Sequence, residues 1–145
     1  MSTENVELVQ RWFAEVWTKG RESAIDEMLA QDAVVHGLGE PGVDARGPAA
    51  FKPFFAKLQA AFGDMQFTVE QTIAEGEWVA SRWTARMTHR GDQLGVPSTG
   101  RRVEVTGMSM GRFRGGKMIE GWNNWDQFAL MEQIQAAPRT VKLLS

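Results

Sequence analysis

The sequence predicts an α+β fold. Three N-terminal helices pack on a strongly curved, mainly antiparallel sheet, forming a cone-shaped α+β barrel with a short C-terminal helix. Three observations predict it. Up to Gly63 the apolar residues recur at the three- and four-residue spacing of helices, interrupted by one short strand-like run. From Met65 the period drops to two, the mark of half-buried strands. Residues 105–126 then hold two strand-forming runs around Arg114-Gly115-Gly116-Lys117, a hairpin signal because glycine supplies the positive φ of a tight turn. Helices first and a strand meander afterwards is an α+β order.

Taken in order, helix one is expected over residues 3–19, with Val6, Val9, Phe13 and Val16 or Trp17 on one face and Gly20 closing it. A short second helix opens at Ser23 as N-cap and presents Ile25, Met28 and Leu29. A strand at residues 33–36 ends on His36, and a Gly- and Pro-rich loop covers residues 37–47. Helix three starts at Pro48, buries Phe51, Phe54, Phe55, Leu58 and Phe62, is bent or delayed by Pro53, and stops at Gly63. Strands follow at residues 65–73, 78–89, 102–113 and 118–125, with a loop at residues 90–100. A last helix over residues 127–136 is stopped by Pro138, leaving residues 139–145 as an arm or frayed end.

Alternation assigns the odd strand positions inward. Met65, Phe67, Val69, Ile73, Val79, Trp83, Met87, Val103, Val105 and Phe113 are apolar, while the even positions carry mostly charges. Gly107, Ser109, Gly111 and Gly121 then fall inside, and small residues above a bulky floor encode a void. The polar inward residues are Gln71, Ser81, Ser109 and Asn123. An apolar concavity with a few placed polar groups describes a small-molecule pocket. The last strand keeps this phase if the hairpin turn has three residues and a glycine bulge. A two-residue Gly-Gly turn would instead bring Glu120, Trp122, Asn124 and Asp126 inward. On the outer face, Trp78, Met108, Met110 and Trp122 make an apolar surface that sheet-to-sheet homodimerisation would cover.

At 145 residues the chain is long enough for one domain, residues 1–145, with its own core. A net charge of −2 leaves no electrostatic footprint for nucleic acid. There is no apolar run of membrane-spanning length and no secretory leader pattern, and cysteine is absent. A cytoplasmic protein that uses neither disulfide nor thiol chemistry is expected. Six Trp and eight Met without any Tyr suit a pocket for a flat apolar ligand or a subunit interface. No metal-ligand spacing, nucleophile elbow, phosphate loop or dinucleotide fingerprint is present, so neither metal nor cofactor is expected.

The segments GPAAFKPFFAKLQAAFGDMQFTVE and VASRWTARMTHRGDQLGVPSTGRRVEVTGMSMGRFRGGKMIEGWNNWDQFALMEQI resemble the SnoaL-like polyketide cyclases of the nuclear-transport-factor-2-like superfamily. Their most specific parts are Arg82-Trp83, Thr88-His89-Arg90-Gly91, Pro97-Ser98-Thr99-Gly100 and the Gly-Lys-Met-Ile-Glu-x-Trp run at residues 116–122. The resemblance implies a cofactor-independent cyclase or isomerase (lyase or isomerase class) acting on a polyketide-like or cyclic carbonyl compound. In such cyclases an aspartate on the last strand is acid/base for an aldol closure, helped by a histidine on the strand before. Those positions align with Asn123 and Ser109, and both depart from the pattern.

The remaining candidate base is His36, placed to reach the cone mouth, with Asn123 and Ser109 polarising a carbonyl. Trp83, Phe54, Met87, Phe113 and Trp125 are expected to wall a hydrophobic substrate. His89 reads as a loop cap. Asp126 reads as N-cap of the last helix, or as a base if the strand is flipped. Two alternatives stay open: a binding protein that kept the cone and lost its base, and a hydrolase of an epoxide or ester with water held near Asp126.

Overall fold

The computed structural model describes residues 2–38 and 43–134. The expected extension of the last helix to Ala136, its stop at Pro138, and the arm at residues 139–145 lie outside them. Helix α1 (Ser2–Arg11) runs straight into a π-helical segment, Trp12–Thr18, and α2 (Ser23–Met28) follows. Strands β1 (Leu29–His36) and β2 (Ala45–Arg46), helix α3 (Gly47–Ala61), strands β3 (Phe62–Glu75), β4 (Trp78–His89), β5 (Arg102–Arg114) and β6 (Lys117–Trp125), and helix α4 (Gln127–Gln133) complete the chain. This is the α+β architecture that the change of period predicts.

The six strands form one sheet in the order β2-β1-β6-β5-β4-β3. Every pairing is antiparallel except β1 with β6, where Val35 lies beside Gly121 and His36 beside Trp122. The helices cover the inner face. The π-helical segment, where the Lys19 N–H reaches back five residues to the Ala14 carbonyl, buries Trp12, Phe13, Val16 and Trp17 together. Rings then pass contact along the floor: Phe13 lies 5.7 Å from Phe67, Phe67 lies 5.2 Å from Trp83, and Trp17 lies 5.7 Å from Phe55. Offset and tilted pairs of this kind add to the burial of large rings.

Several boundaries differ from the expectation. β1 begins at Leu29, and β2 sits inside the expected loop. α3 passes through Pro53 as one helix, with Pro48 in its first turn. Ser23 does not cap α2, which starts on it after Glu22 without a side-chain cap. His89 is fully buried and fastens the loop after β4, its Nδ1 accepting from the Thr99 N–H and lying 2.9 Å from the Thr99 hydroxyl.

Two of the sheet's register shifts decide where the expected inward residues face. On β3, Val69 pairs with Trp83 but Gln71 pairs with Arg82, so Glu70 is extra and the phase reverses beyond it. Gln71 and Ile73 therefore point outward, contrary to the expectation, and Ile73 is 67% exposed. At the last hairpin Arg114 pairs with Lys117 across a two-residue turn, with φ of 61° and 77° at Gly115 and Gly116. That turn alone would flip β6. Phe113 pairs with Met118 and Arg112 with Glu120, however, so Ile119 is an extra residue that restores the phase. Asn123 and Gly121 face inward as expected, through an in-strand bulge rather than a three-residue turn.

Candidate functional site

Between the helices and the inner sheet face lies a cavity of about 90 Å³. Trp83, Phe54, Met87, Phe113 and Trp125 all line it, as do Phe13, Trp17, Val35 and Leu38. Phe13 and Trp17 are not expected there because helical periodicity gives an inward face but not the gap between that face and the sheet, and Val35 and Leu38 belong to β1 and the turn after it, not to a helix. The expected void over the small residues is only partly open. A Cβ on Gly107 would come within 2.3 Å of the Trp83 indole, and one on Gly111 within 2.7 Å of the Phe113 ring. The glycines make room for rings, and the cavity lies between those rings and the helices.

One polar spot interrupts this apolar wall. Ser109 and Asn123 are directly paired across β5 and β6. The Trp83 Nε1–H donates to Ser109 Oγ at 2.9 Å, and Ser109 Oγ–H donates to Asn123 Oδ1 at 2.8 Å. Asn123 Nδ2 donates to the His36 carbonyl at 3.1 Å. Ser81 Oγ, on the same face, donates to the Ser109 carbonyl at 3.4 Å. This orders the carboxamide, because a backbone carbonyl can only accept, so Nδ2 must face His36 and Oδ1 must face Ser109. The primary amide has two N–H bonds, and the second has no partner among the described residues. Among those residues no Asp, Glu, His, Lys or Arg lines the cavity.

His36 does not reach it. Alternation along β1 puts Ala33 and Val35 inside, and His36 consequently projects from the outer face. There its Nδ1 lies 2.9 Å from Asp44 Oδ1 and its Nε2 lies 2.7 Å from Glu120 Oε2, with the ring stacked on Trp122 at 5.3 Å. The hydrogen bond to Glu120, then the contacts with Asp44, raise its pKa above the ordinary histidine value. The imidazole is a clamp between two carboxylates, and only its backbone carbonyl touches the site. Gly37 follows with φ of 78°, and a Cβ there would lie 2.0 Å from the Asn123 carbonyl oxygen. Only glycine lets β1 leave the sheet against β6.

Asp126 is also outside the cavity. Its carboxylate accepts from the Ala129 N–H at 2.9 Å and caps α4, the role that competes with a catalytic one in the sequence. The six-strand hydrogen bonding keeps it there, since Ile119 preserves the phase of β6. No group of three or more His, Cys, Asp or Glu among the described residues is arranged to hold a metal ion. No described helix is long and apolar enough to cross a membrane.

The sequence pattern of the SnoaL-like polyketide cyclases matches residues 7–134. The aklanonic acid methyl ester cyclase DnrD of Streptomyces peucetius is 29% identical over 129 residues, which span 88% of this chain and 87% of that protein. Among solved structures, AclR of Streptomyces galilaeus, assigned as a hydroxylase, superposes with a TM-score of 0.85 at 26% identity, over 98% of this chain and 91% of that one. IdmH of Streptomyces antibioticus, assigned as a polyketide cyclase, gives 0.79 at 30% identity, over 90% of this chain and 98% of that one.

Proposed function

Because the chain belongs to the SnoaL-like polyketide cyclase family, we propose that it binds a flat, largely apolar carbonyl compound of polyketide type and promotes its ring closure or isomerisation without a cofactor. The observation that carries this reading is the Trp83–Ser109–Asn123 relay, the one polar spot in an aromatic cavity with no ionisable wall residue among those described. Such a wall selects for apolar surface and leaves one donor, the second Asn123 N–H, for a carbonyl oxygen.

In this reading the protein holds the chain folded and hydrogen-bonds the oxygen that gains negative charge. Holding two reacting carbons together converts a loose encounter into a near-attack geometry. A fixed donor in a dry site stabilises an enolate or alkoxide more than water does. An aldol closure needs no co-reactant: one C–C bond forms, the proton lost from carbon goes to solvent base at the mouth, and the new alkoxide takes a proton back. Ser109 holds the amide in place, and Asn123 supplies the N–H. Trp83, Phe54, Met87, Phe113 and Trp125 hold the ring system.

A second reading, binding without turnover, is supported by the same lack of a wall base. Absorbance assays on an aromatic polyketide methyl ester separate the two. Turnover by the natural chain, with kcat lowered about a hundredfold in Asn123→Leu while binding persists, supports the first. Binding with no turnover, restored by Asn123→Asp, supports the second.

We also propose that the outer sheet face joins two copies. Ile73, Ala80, Met110 and Trp122 lie in register as one row across four strands. Ile73 and Met110 are 67% and 43% exposed. An apolar row of that kind is better covered than wet.

A further inference from the structure

The cavity at the centre of this site is too small to hold, by itself, the whole of a ligand of the kind its wall suits. It holds about 90 Å³, whereas pockets for drug-sized ligands run to roughly 300–1,000 Å³. A second recess, of about 810 Å³, opens beside it. Leu38, Phe54, Leu58 and Trp125 line both, so the two spaces meet across a threshold of four apolar side chains. Beyond that threshold the chemistry changes. Asp44, Lys57, Gln93 and Gln127 line the outer recess along with apolar residues. Asp44 is already held by His36 Nδ1 at 2.9 Å. Lys57 makes no ion pair with any described residue and is the one cation among the described residues lining the recess.

We infer that the recess is the second compartment of the ligand site, and that it takes a carboxylate-bearing tail whose charge meets Lys57. The same helix serves both compartments. Phe54 and Leu58 of α3 form the threshold, and Lys57 stands between them in sequence on the recess side. A ligand bound in this way buries its ring system against Trp83, crosses at Phe54 and Trp125, and ends on the Lys57 ammonium in a recess that Gln93 and Gln127 also line. The inference rests on the proposed binding of flat carbonyl compounds, and specifies which of them the site prefers.

Three probes test it, with binding read from quenching of tryptophan fluorescence: methylnaphthalene, 4-(naphthyl)butanoic acid, and the methyl ester of that acid. The natural chain should bind the acid about fivefold more tightly than the ester, the advantage an exposed ion pair gives at its upper end. Lys57→Gln should remove that advantage and Lys57→Glu should reverse it. Methylnaphthalene should bind all three proteins equally, which also verifies that the variants fold around an intact inner cavity. Equal binding of acid and ester by the natural chain overturns the inference, as does an acid preference that survives Lys57→Gln. Either result with methylnaphthalene still bound leaves the central site standing. Failure of every probe to bind removes both.

Discussion

The Ser109 hydroxyl donates to the Asn123 carboxamide across β5 and β6 at 2.8 Å, while that amide donates onward to the His36 carbonyl at 3.1 Å. The second bond decides what Asn123→Asp does. An aspartate can still accept from Ser109, but when ionised it has no hydrogen for the His36 carbonyl and sets an anion against that oxygen. The apolar wall disfavours the charge as well. The folded-state pKa of the new carboxyl is therefore raised above about 3.9, its unfolded value. The cost appears as pH rises from that value through the raised one. Urea unfolding should show a loss of ~1–3 kcal/mol at pH 8 and a smaller loss at pH 5. Equal losses at the two values would mean that the carboxyl finds another donor.

Gly107 pairs with Trp83 across β4 and β5, and the indole lies over the place where a side chain would be. In Gly107→Ala the new Cβ, 2.3 Å from Trp83 Cζ2, must push the ring toward the helices. That movement breaks the Trp83–Ser109 hydrogen bond and narrows the cavity. Overpacking and the lost bond together should cost ~2–4 kcal/mol in denaturant unfolding and weaken ligand binding. Trp83→Leu added to Gly107→Ala should destabilise less than it does in the natural chain, giving a coupling term in a double-mutant cycle. Strict additivity would show that the ring already has room to move.

These two sites show what the sequence makes legible. Apolar alternation identifies Trp83, Ser109 and Asn123 as one inner face, because burial on one side imposes a period of two. Val34 and Val35 are both apolar, so β1 alone does not fix its own phase by hydropathy. The bulges at Glu70 and Ile119 are single inserted residues with no pattern of their own, and their effect appears only once partner strands are paired. The clamp of His36 by Glu120 rests on the parallel β1–β6 pairing, which joins residues 84 apart in sequence and leaves no local mark. Helical spacing puts Phe13 and Val16 or Trp17 on one face, but the burial of Trp12 and of Val16 and Trp17 together leaves no such mark, since a π-helical segment turns all four inward.

The apolar row Ile73–Ala80–Met110–Trp122 crosses the outer face between rows that carry Arg82 and Arg112. Met110→Lys puts a charge at the centre of that row without touching the inner relay. Light scattering after size exclusion should give a dimer mass for the natural chain and a monomer mass for the variant. Thermal stability should fall with dilution in the natural chain alone, because a dimer gains stability by mass action. A natural chain that elutes as a monomer at every concentration would refute the interface.

The His36 clamp should give the protein a pH dependence of a definite sign. A neutral imidazole has one N–H and can donate to only one carboxylate, while the imidazolium donates to both Asp44 and Glu120. These bonds raise its folded-state pKa above the ordinary value near 6.5, the Glu120 bond most. Stability contributed by the clamp is thus fully present below the unfolded value and is lost as pH rises through the raised one. The natural chain should exceed His36→Gln in melting temperature by its widest margin near pH 5.5, below the unfolded value of the imidazole, and the margin should shrink by pH 9. Glu120→Gln should abolish most of that pH dependence, whereas Asp126→Ala should leave it in place while loosening α4. A margin that widens toward alkaline pH would mean that the neutral ring, not the cation, is what holds the loop to the sheet.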